Sequence, residues 1–193
     1  MASPRSLDTA ALWIHWVWLT GLAGIVRLFF ELFAVPEYAF AWVENTRLLL
    51  LFVPGLALGA AQWLVIRRAM PGAAPWIPAT AVGYVVAVVG WYSLARLLGF
   101  KLYVTEWQQL TLGLTIGVSL GAAQAIVLRR HSRYAMRWFW GSTLGWAAGS
   151  VLAAGAVSLE SGLPELVSTL RWLRSFIPIL VYGGVSGFFL IGL

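Results

Sequence analysis

Few side chains in this 193-residue chain could do chemistry, and most of them lie in apolar surroundings. Arg27 and Glu31 stand four apart inside one apolar run, the spacing at which two side chains meet on one helix face. An ionisable residue inside such a run points by default to function, here a gate on a solute path, although a self-paired Arg–Glu is also a structural ion pair. His15, in "LWIHWVWL", offers an imidazole that could ligate haem iron or a pigment magnesium. His131 falls in the basic stretch "RRHSRY" and reads as one more solvated residue. Gln62 and Gln124 are amides in apolar segments, where each would seek a hydrogen bond to another helix. Cysteine is absent, which excludes disulfides, thiolate metal sites and thiol redox chemistry. Two histidines cannot make a three-histidine metal centre. No Ser-His-Asp set, carboxylate pair or phosphate-cradling loop occurs, and the expectation is a protein that is not an enzyme.

The elements that would hold these residues are apolar helices. The chain is 61% hydrophobic and 10% charged, against about 25% charged for a soluble domain. A helix crossing the ~30 Å hydrocarbon layer needs about 20 apolar residues. Six segments qualify, over 10–33, 48–66, 76–98, 107–128, 138–159 and 175–193. The spacing predicts an all-α integral membrane protein, 1–193 forming a single transmembrane domain. The first run is too long for a signal-peptide core and is expected to be retained.

Charge sorts by side. The N-terminal stretch and the loops at 67–75 and 129–137 hold Arg5, Arg67, Arg68, Arg129, Arg130, Arg133 and Arg137 against Asp8. The opposite loops balance Arg47, Arg96, Lys101, Arg171 and Arg174 with Glu37, Glu44, Glu106, Glu160 and Glu165. The whole net charge of +6 thus falls on one face. The positive-inside rule makes that face cytoplasmic, with both termini inside, in a bacterial inner membrane. The basic balance then calls for no nucleic acid; the arginine pairs Arg67/Arg68 and Arg129/Arg130 face lipid headgroups. On the outer side, "PEYAFAWVEN" (36–45) sets Tyr38 and Trp42 at headgroup depth. The stretch 161–175 reads either as a short amphipathic surface helix or as an extension of the sixth span.

One phrase occurs twice, "LGAAQWLVIRR" at 58–68 and "LGAAQAIVLRR" at 120–130. Without gaps, Gly55, Gly59, Gln62, Trp76, Gly83 and Tyr84 match Gly117, Gly121, Gln124, Trp138, Gly145 and Trp146. The unit is a two-helix hairpin, over 47–98 and 109–160, repeated in parallel. A third, permuted copy would join helices 6 and 1. Gly183 and Gly187 repeat the spacing of Gly55/Gly59, and "TGLAG" (20–24) resembles part of "STLGWAAG" (142–149). A bundle with pseudo-threefold symmetry would follow.

Glycines at i, i+4 and i+8 line helix 4 (Gly113, Gly117, Gly121) and helix 5 (Gly141, Gly145, Gly149). Such a stripe lets a neighbouring backbone approach closely. Its partner is either another helix of the chain or the flat face of a lipid tail or pigment. The glutamines lie ~7.5 Å inward of their arginine pairs at 1.5 Å per residue, each placed to tie its hairpin to the next helix.

At "GAAQWLVIRR" the chain resembles a loose group of bacterial multi-spanning membrane proteins built from repeated Gly-x-x-Gln-Trp-Leu-Val-Leu-Arg-Arg hairpins. The resemblance covers roughly 47–159, implies an all-helical membrane fold and brings no activity with it. The second copy departs from the pattern at Ala125, opposite Trp63. "IHW" early in the first span also resembles membrane b-type cytochromes, although their paired histidines are missing here. The sequence therefore points first to a non-enzymatic membrane subunit that packs against lipids, pigments or other membrane subunits. A small transporter with a path between the repeats, and a pigment or haem protein using His15, are the alternatives.

Overall fold

Long apolar runs without interior charge favour helices, because a helix satisfies its own backbone groups. Among the described residues the chain forms six: α1 (Thr9–Phe33), α2 (Glu44–Ile66), α3 (Trp76–Leu97), α4 (Glu106–Leu128), α5 (Ala135–Glu160) and α6 (Val167–Leu190). This computed structural model describes residues 9–33, 44–67, 70–99, 106–160 and 167–190, with side chains at 10–26, 52–67, 70–99, 107–156 and 176–189. No strand occurs among the described residues. Two helices, Trp76–Leu97 and Trp107–Leu128, are long and apolar enough to cross a membrane. Ala10–Val26, Phe52–Ile66 and Phe176–Phe189 are shorter apolar helical stretches.

The helix ends follow local chemistry. Pro75 precedes α3, where a missing N–H costs nothing. Gly99, at φ 63°, takes the left-handed conformation just beyond its C-terminal end. From Val167 the stretch is continuous with α6, so over 167–175 the surface-helix reading gives way to the extension. Residues 161–166 and 34–43, with Tyr38 and Trp42, lie outside the described residues.

The helices form a closed ring. Each packs on its neighbour in chain order, and α6 returns to pack on α1. The glycines set these approaches. A Cβ at Gly55 would lie 2.7 Å from the Ala81 Cα, and one at Gly117 would lie 2.7 Å from the Thr143 Cα. Gly59 faces Ile77 and Thr80, Gly121 faces Phe139 and Ser142, and Gly183 faces Val17 and Thr20. Gly113 and Gly141 lie equally close to Ser150 and Phe189. The glycine stripes of α4 and α5 face helices of the same chain.

The contacts also bear on the register that a third copy would have. Gly183 meets Val17 and Thr20 as Gly121 meets Phe139 and Ser142. It thus matches Gly59 and Gly121, one turn away from the alignment by glycine spacing alone. Gly187, which packs on Trp13 and Trp16, stands opposite Trp63 and Ala125. Two four-residue glycine spacings cannot by themselves decide which turn is which.

Between hairpins, Gly83 faces the Leu120 Cα at 3.2 Å and Gly145 the Tyr182 Cα at 3.1 Å. A leucine at either site must push a neighbouring backbone aside. Gly83→Leu and Gly145→Leu are each expected to lower stability by about 1–3 kcal/mol, the usual cost of overpacking. Unfolding in detergent micelles checks this, and a melting temperature unchanged in both variants would remove the packing argument.

Candidate functional site

The polar groups converge where the ring is narrowest in side chains. Gln62 on α2 and Gln124 on α4 are fully buried, as are Thr80 on α3 and Tyr182 on α6. The Gln124 amide Nε2 donates to Gln62 Oε1 at 2.9 Å and to Thr80 Oγ1 at 3.0 Å. The Gln62 amide donates to the Tyr182 hydroxyl at 3.1 Å, which donates in turn to Gln124 Oε1 at 3.3 Å. Gln62, Tyr182 and Gln124 thus form a closed cycle in which each donates to the next. Thr80 passes its own proton to the Trp76 carbonyl at 2.8 Å. The two glutamines, expected to tie separate hairpins to their neighbours, bond directly to each other.

Three tryptophans cap this cycle. Trp76 Nε1 donates to Gln62 Oε1 at 3.1 Å, Trp138 Nε1 to Gln124 Oε1 at 3.0 Å and Trp16 Nε1 to Ser186 Oγ at 3.1 Å. Their rings meet edge to face, with centroids 5.3 Å apart for Trp16–Trp138 and Trp76–Trp138 and 6.4 Å apart for Trp16–Trp76. Edge-to-face packing places the positive rim of one ring on the negative face of another. All three side chains are fully buried.

The residues of the site recur at a fixed spacing, with substitutions. Carrying the 62-residue separation of Gln62 and Gln124 one step further reaches Ser186, and the same step from Leu58 and Leu120 reaches Tyr182. A serine cannot span the centre as a glutamine does. The Tyr182 hydroxyl, from a position where the other copies carry leucine, fills the place instead. Thr20, Thr80 and Ser142 each follow their tryptophan by four residues. Only Thr80 receives a glutamine amide; Thr20 Oγ1 and Ser142 Oγ are buried without a partner, as are Trp63 Nε1 and Trp146 Nε1. Trp146 stacks on Tyr182 at 5.0 Å, which fixes the phenol ring.

Trp16, Trp76, Trp138, Thr80, Tyr182 and Ser186 were missed as site residues by inspection of the sequence. For Tyr182 and Ser186 the signal was the separation of 62 applied a third time, whereas Trp16 stands 60 residues before Trp76 and is not reached by it. Tyr182→Phe removes one donor and one acceptor from the cycle, and a loss of about 0.6–2 kcal/mol is expected from membrane hydrogen-bond energies. Unfolding in micelles reads it, and a neutral effect would mean that the cycle contributes no stability.

The other expected sites lie apart. His15 is exposed on α1, with Nδ1 2.6 Å from the Ala11 carbonyl, so its ring faces the surroundings rather than the hub. Arg27 and Glu31 fall on α1, but their side chains lie outside the described residues. Arg67, Arg129 and Arg130 are exposed just beyond the ends of α2 and α4, and Arg68 lies outside the described residues. The Arg67 guanidinium lies over the Trp63 ring, 5.3 Å from its centroid. Among the described residues no group of three His, Asp or Glu side chains could hold a metal ion.

The hub can tie helices together and position them, and it holds no nucleophile beside a base. No protein-family model, curated protein sequence or solved structure matches the chain.

Proposed function

We propose that the chain is an integral membrane protein in which all six helices cross the bilayer as three hairpins, α2/α3, α4/α5 and α6/α1, related by pseudo-threefold symmetry. It acts as a non-enzymatic subunit that packs against lipids and other membrane proteins, with both termini and the two arginine loops cytoplasmic. The observation that carries this reading is the polarity of the bundle. Gln62, Gln124, Thr20, Thr80, Ser142 and Ser186 are fully buried, while Trp18, Trp107 and Phe188 are 68, 75 and 72% exposed. A water-soluble bundle hides its large apolar side chains; a bundle in hydrocarbon is free to display them. The recurrence of Gly59–Thr80, Gly121–Ser142 and Gly183–Thr20 contacts supports the threefold arrangement.

The same polarity favours a packing subunit over a transporter. A path for solute needs polar groups that face a wet cavity, and the interior glutamines here bond one another instead. Purification in mild detergent, with mass analysis of copurifying subunits, tests the function. A stoichiometric membrane partner is expected. A solitary protein that drives solute flux in proteoliposomes would replace this reading with transport, and a visible absorption band would point to a pigment at His15.

Topology is tested separately. The chain lacks cysteine, so one placed at Ser132 is a unique label. It is expected to resist an impermeant thiol reagent added outside intact cells and to react after lysis. Labelling in intact cells would invert the orientation.

A further inference from the structure

The cytoplasmic half of α4 presents two apolar grooves, one on each side of Ile126. The first, of about 380 Å³, runs between α3 and α4 and is lined by Pro78, Ala79, Val82, Ala123 and Val127, with Arg130 and His131 at its end. The second, of about 310 Å³, runs between α4 and α5 over Ala122, Ala125 and Phe139, with Arg129 at its end. Ile126 lines both and is 62% exposed, a ridge between two troughs. The two arginines are adjacent in sequence and exposed, and each stands at the mouth of a different trough. The Arg129 Nη2 lies 3.7 Å from the Met136 sulfur, which also lines the second groove, and the His131 ring lies against Gly72 at the first.

The two copies of the repeat differ at this place. In the first, Trp63 stands where the second has Ala125, and its own indole lies beneath Arg67. The second copy has a methyl group there, and the space beneath Arg129 is open.

The geometry points to a binding site for one anionic diacyl phospholipid on α4, its two acyl chains in the troughs astride Ile126 and its phosphate held by Arg129 and Arg130. Two apolar grooves that flank Ile126 and each end at an arginine fit two chains of one molecule, and adjacent guanidinium groups fit a phosphate. Arginine at the cytoplasmic leaflet surface complements anionic lipid. The inference rests on the reading that the chain spans a bilayer. Extraction with alkaline carbonate tests that reading alone: a chain released from the membrane would remove the reading, whereas a chain that stays leaves the lipid site to be judged by binding.

The site is tested by native mass spectrometry of the full chain in mixed micelles, with phosphatidylglycerol, phosphatidylcholine and single-chain lysophosphatidylglycerol as probes. Diacyl phosphatidylglycerol is expected to be retained over both other lipids. The double variant Arg129→Gln/Arg130→Gln changes exposed side chains and leaves the bundle intact. It is expected to lose the headgroup preference roughly thirtyfold, given the contribution of two arginines to anionic lipid binding. Ala125→Trp, which copies the first repeat, is expected to keep the headgroup preference and lose the advantage of two chains over one. If that variant does not fold, the arginine variant and the single-chain probe still decide. Equal retention of the two diacyl lipids, an unchanged preference in the arginine variant, or equal retention of the single-chain lipid would each overturn the site. So would a polypeptide crosslinked to Ile126 in its place.

Discussion

Replacing Gln124 by leucine is expected to lower stability by about 2–4 kcal/mol, the largest effect of any exchange in the interior that leaves volume nearly constant. Gln124 takes part in four hydrogen bonds, with Gln62, Thr80, Trp138 and Tyr182. A single membrane hydrogen bond averages only about 0.6 kcal/mol. The leucine, however, also strands the Trp138 N–H, the Tyr182 hydroxyl proton and the second lone pair of Gln62, and each stranded buried group costs about 1–3 kcal/mol before relaxation. Gln62→Leu breaks three bonds and should cost somewhat less. The double variant should fall short of the sum, because the bond between the two amides is counted in both single losses. Residues in one network couple by about 0.5–3 kcal/mol. Unfolding of the three variants in micelles completes the cycle. Strict additivity would show that the two amides do not interact in the folded protein, and the cycle drawn through them would be wrong.

The second large effect is expected from one methyl group at Gly149. A Cβ there would lie 2.6 Å from the Pro178 Cα and 2.8 Å from its carbonyl oxygen. Both contacts are with backbone, which cannot rotate away as a side chain can. Gly149→Ala should therefore part α5 from α6 and cost about 2–3 kcal/mol, at the upper end of overpacking losses. Gly184 supplies the control, since a Cβ built there meets nothing. Gly184→Ala should be neutral or gain up to about 1 kcal/mol through helix propensity. Equal effects at the two positions would mean that α5 and α6 do not touch at Pro178. The proline itself stands two repeat lengths beyond Pro54. Both helices bearing it lie where the chain enters a hairpin, and both still run through as single helices.

The helices were legible in the sequence because apolar runs of 20 residues have few other structures to adopt. Their boundaries shifted most where polar residues continue a helix beyond its apolar part, as at Glu44 and Val167. The glycine stripes and the two glutamines were legible because small and amide side chains stand out against leucine and valine. The hub as a whole was not. Its third member is a tyrosine at a leucine position and its fourth a serine at a glutamine position, so no search for the same residue type finds them. Tryptophan was hidden in another way. The chain has 12, and the three that matter look no different in sequence from Trp18, Trp107 or Trp140, which face outward. Spacing alone does not separate them, because Trp107 and Trp146 also have a hydroxyl four residues on; Trp16, Trp76 and Trp138 are set apart by a side-chain acceptor on the adjacent helix.

Closure of the ring between α1 and α6 bears on how the protein is made. Trp16 belongs to α1 and Ser186 to α6, which is synthesised after the other five, and the bond between them joins residues 170 apart. Until α6 emerges, the Trp16 indole has no acceptor, the Gln62 amide lacks the Tyr182 hydroxyl, and the glycine face of α5 at Gly145 and Gly149 stands uncovered. The nascent chain thus carries polar groups on α1 and α2 that find partners only when α6 arrives. A chain interrupted before α6 would leave the Trp16 indole N–H without its Ser186 acceptor and the Gln62 amide without the Tyr182 hydroxyl. Completion of the interior thus depends on α6, and the polar groups that α1 and α2 direct to it stay open until it arrives.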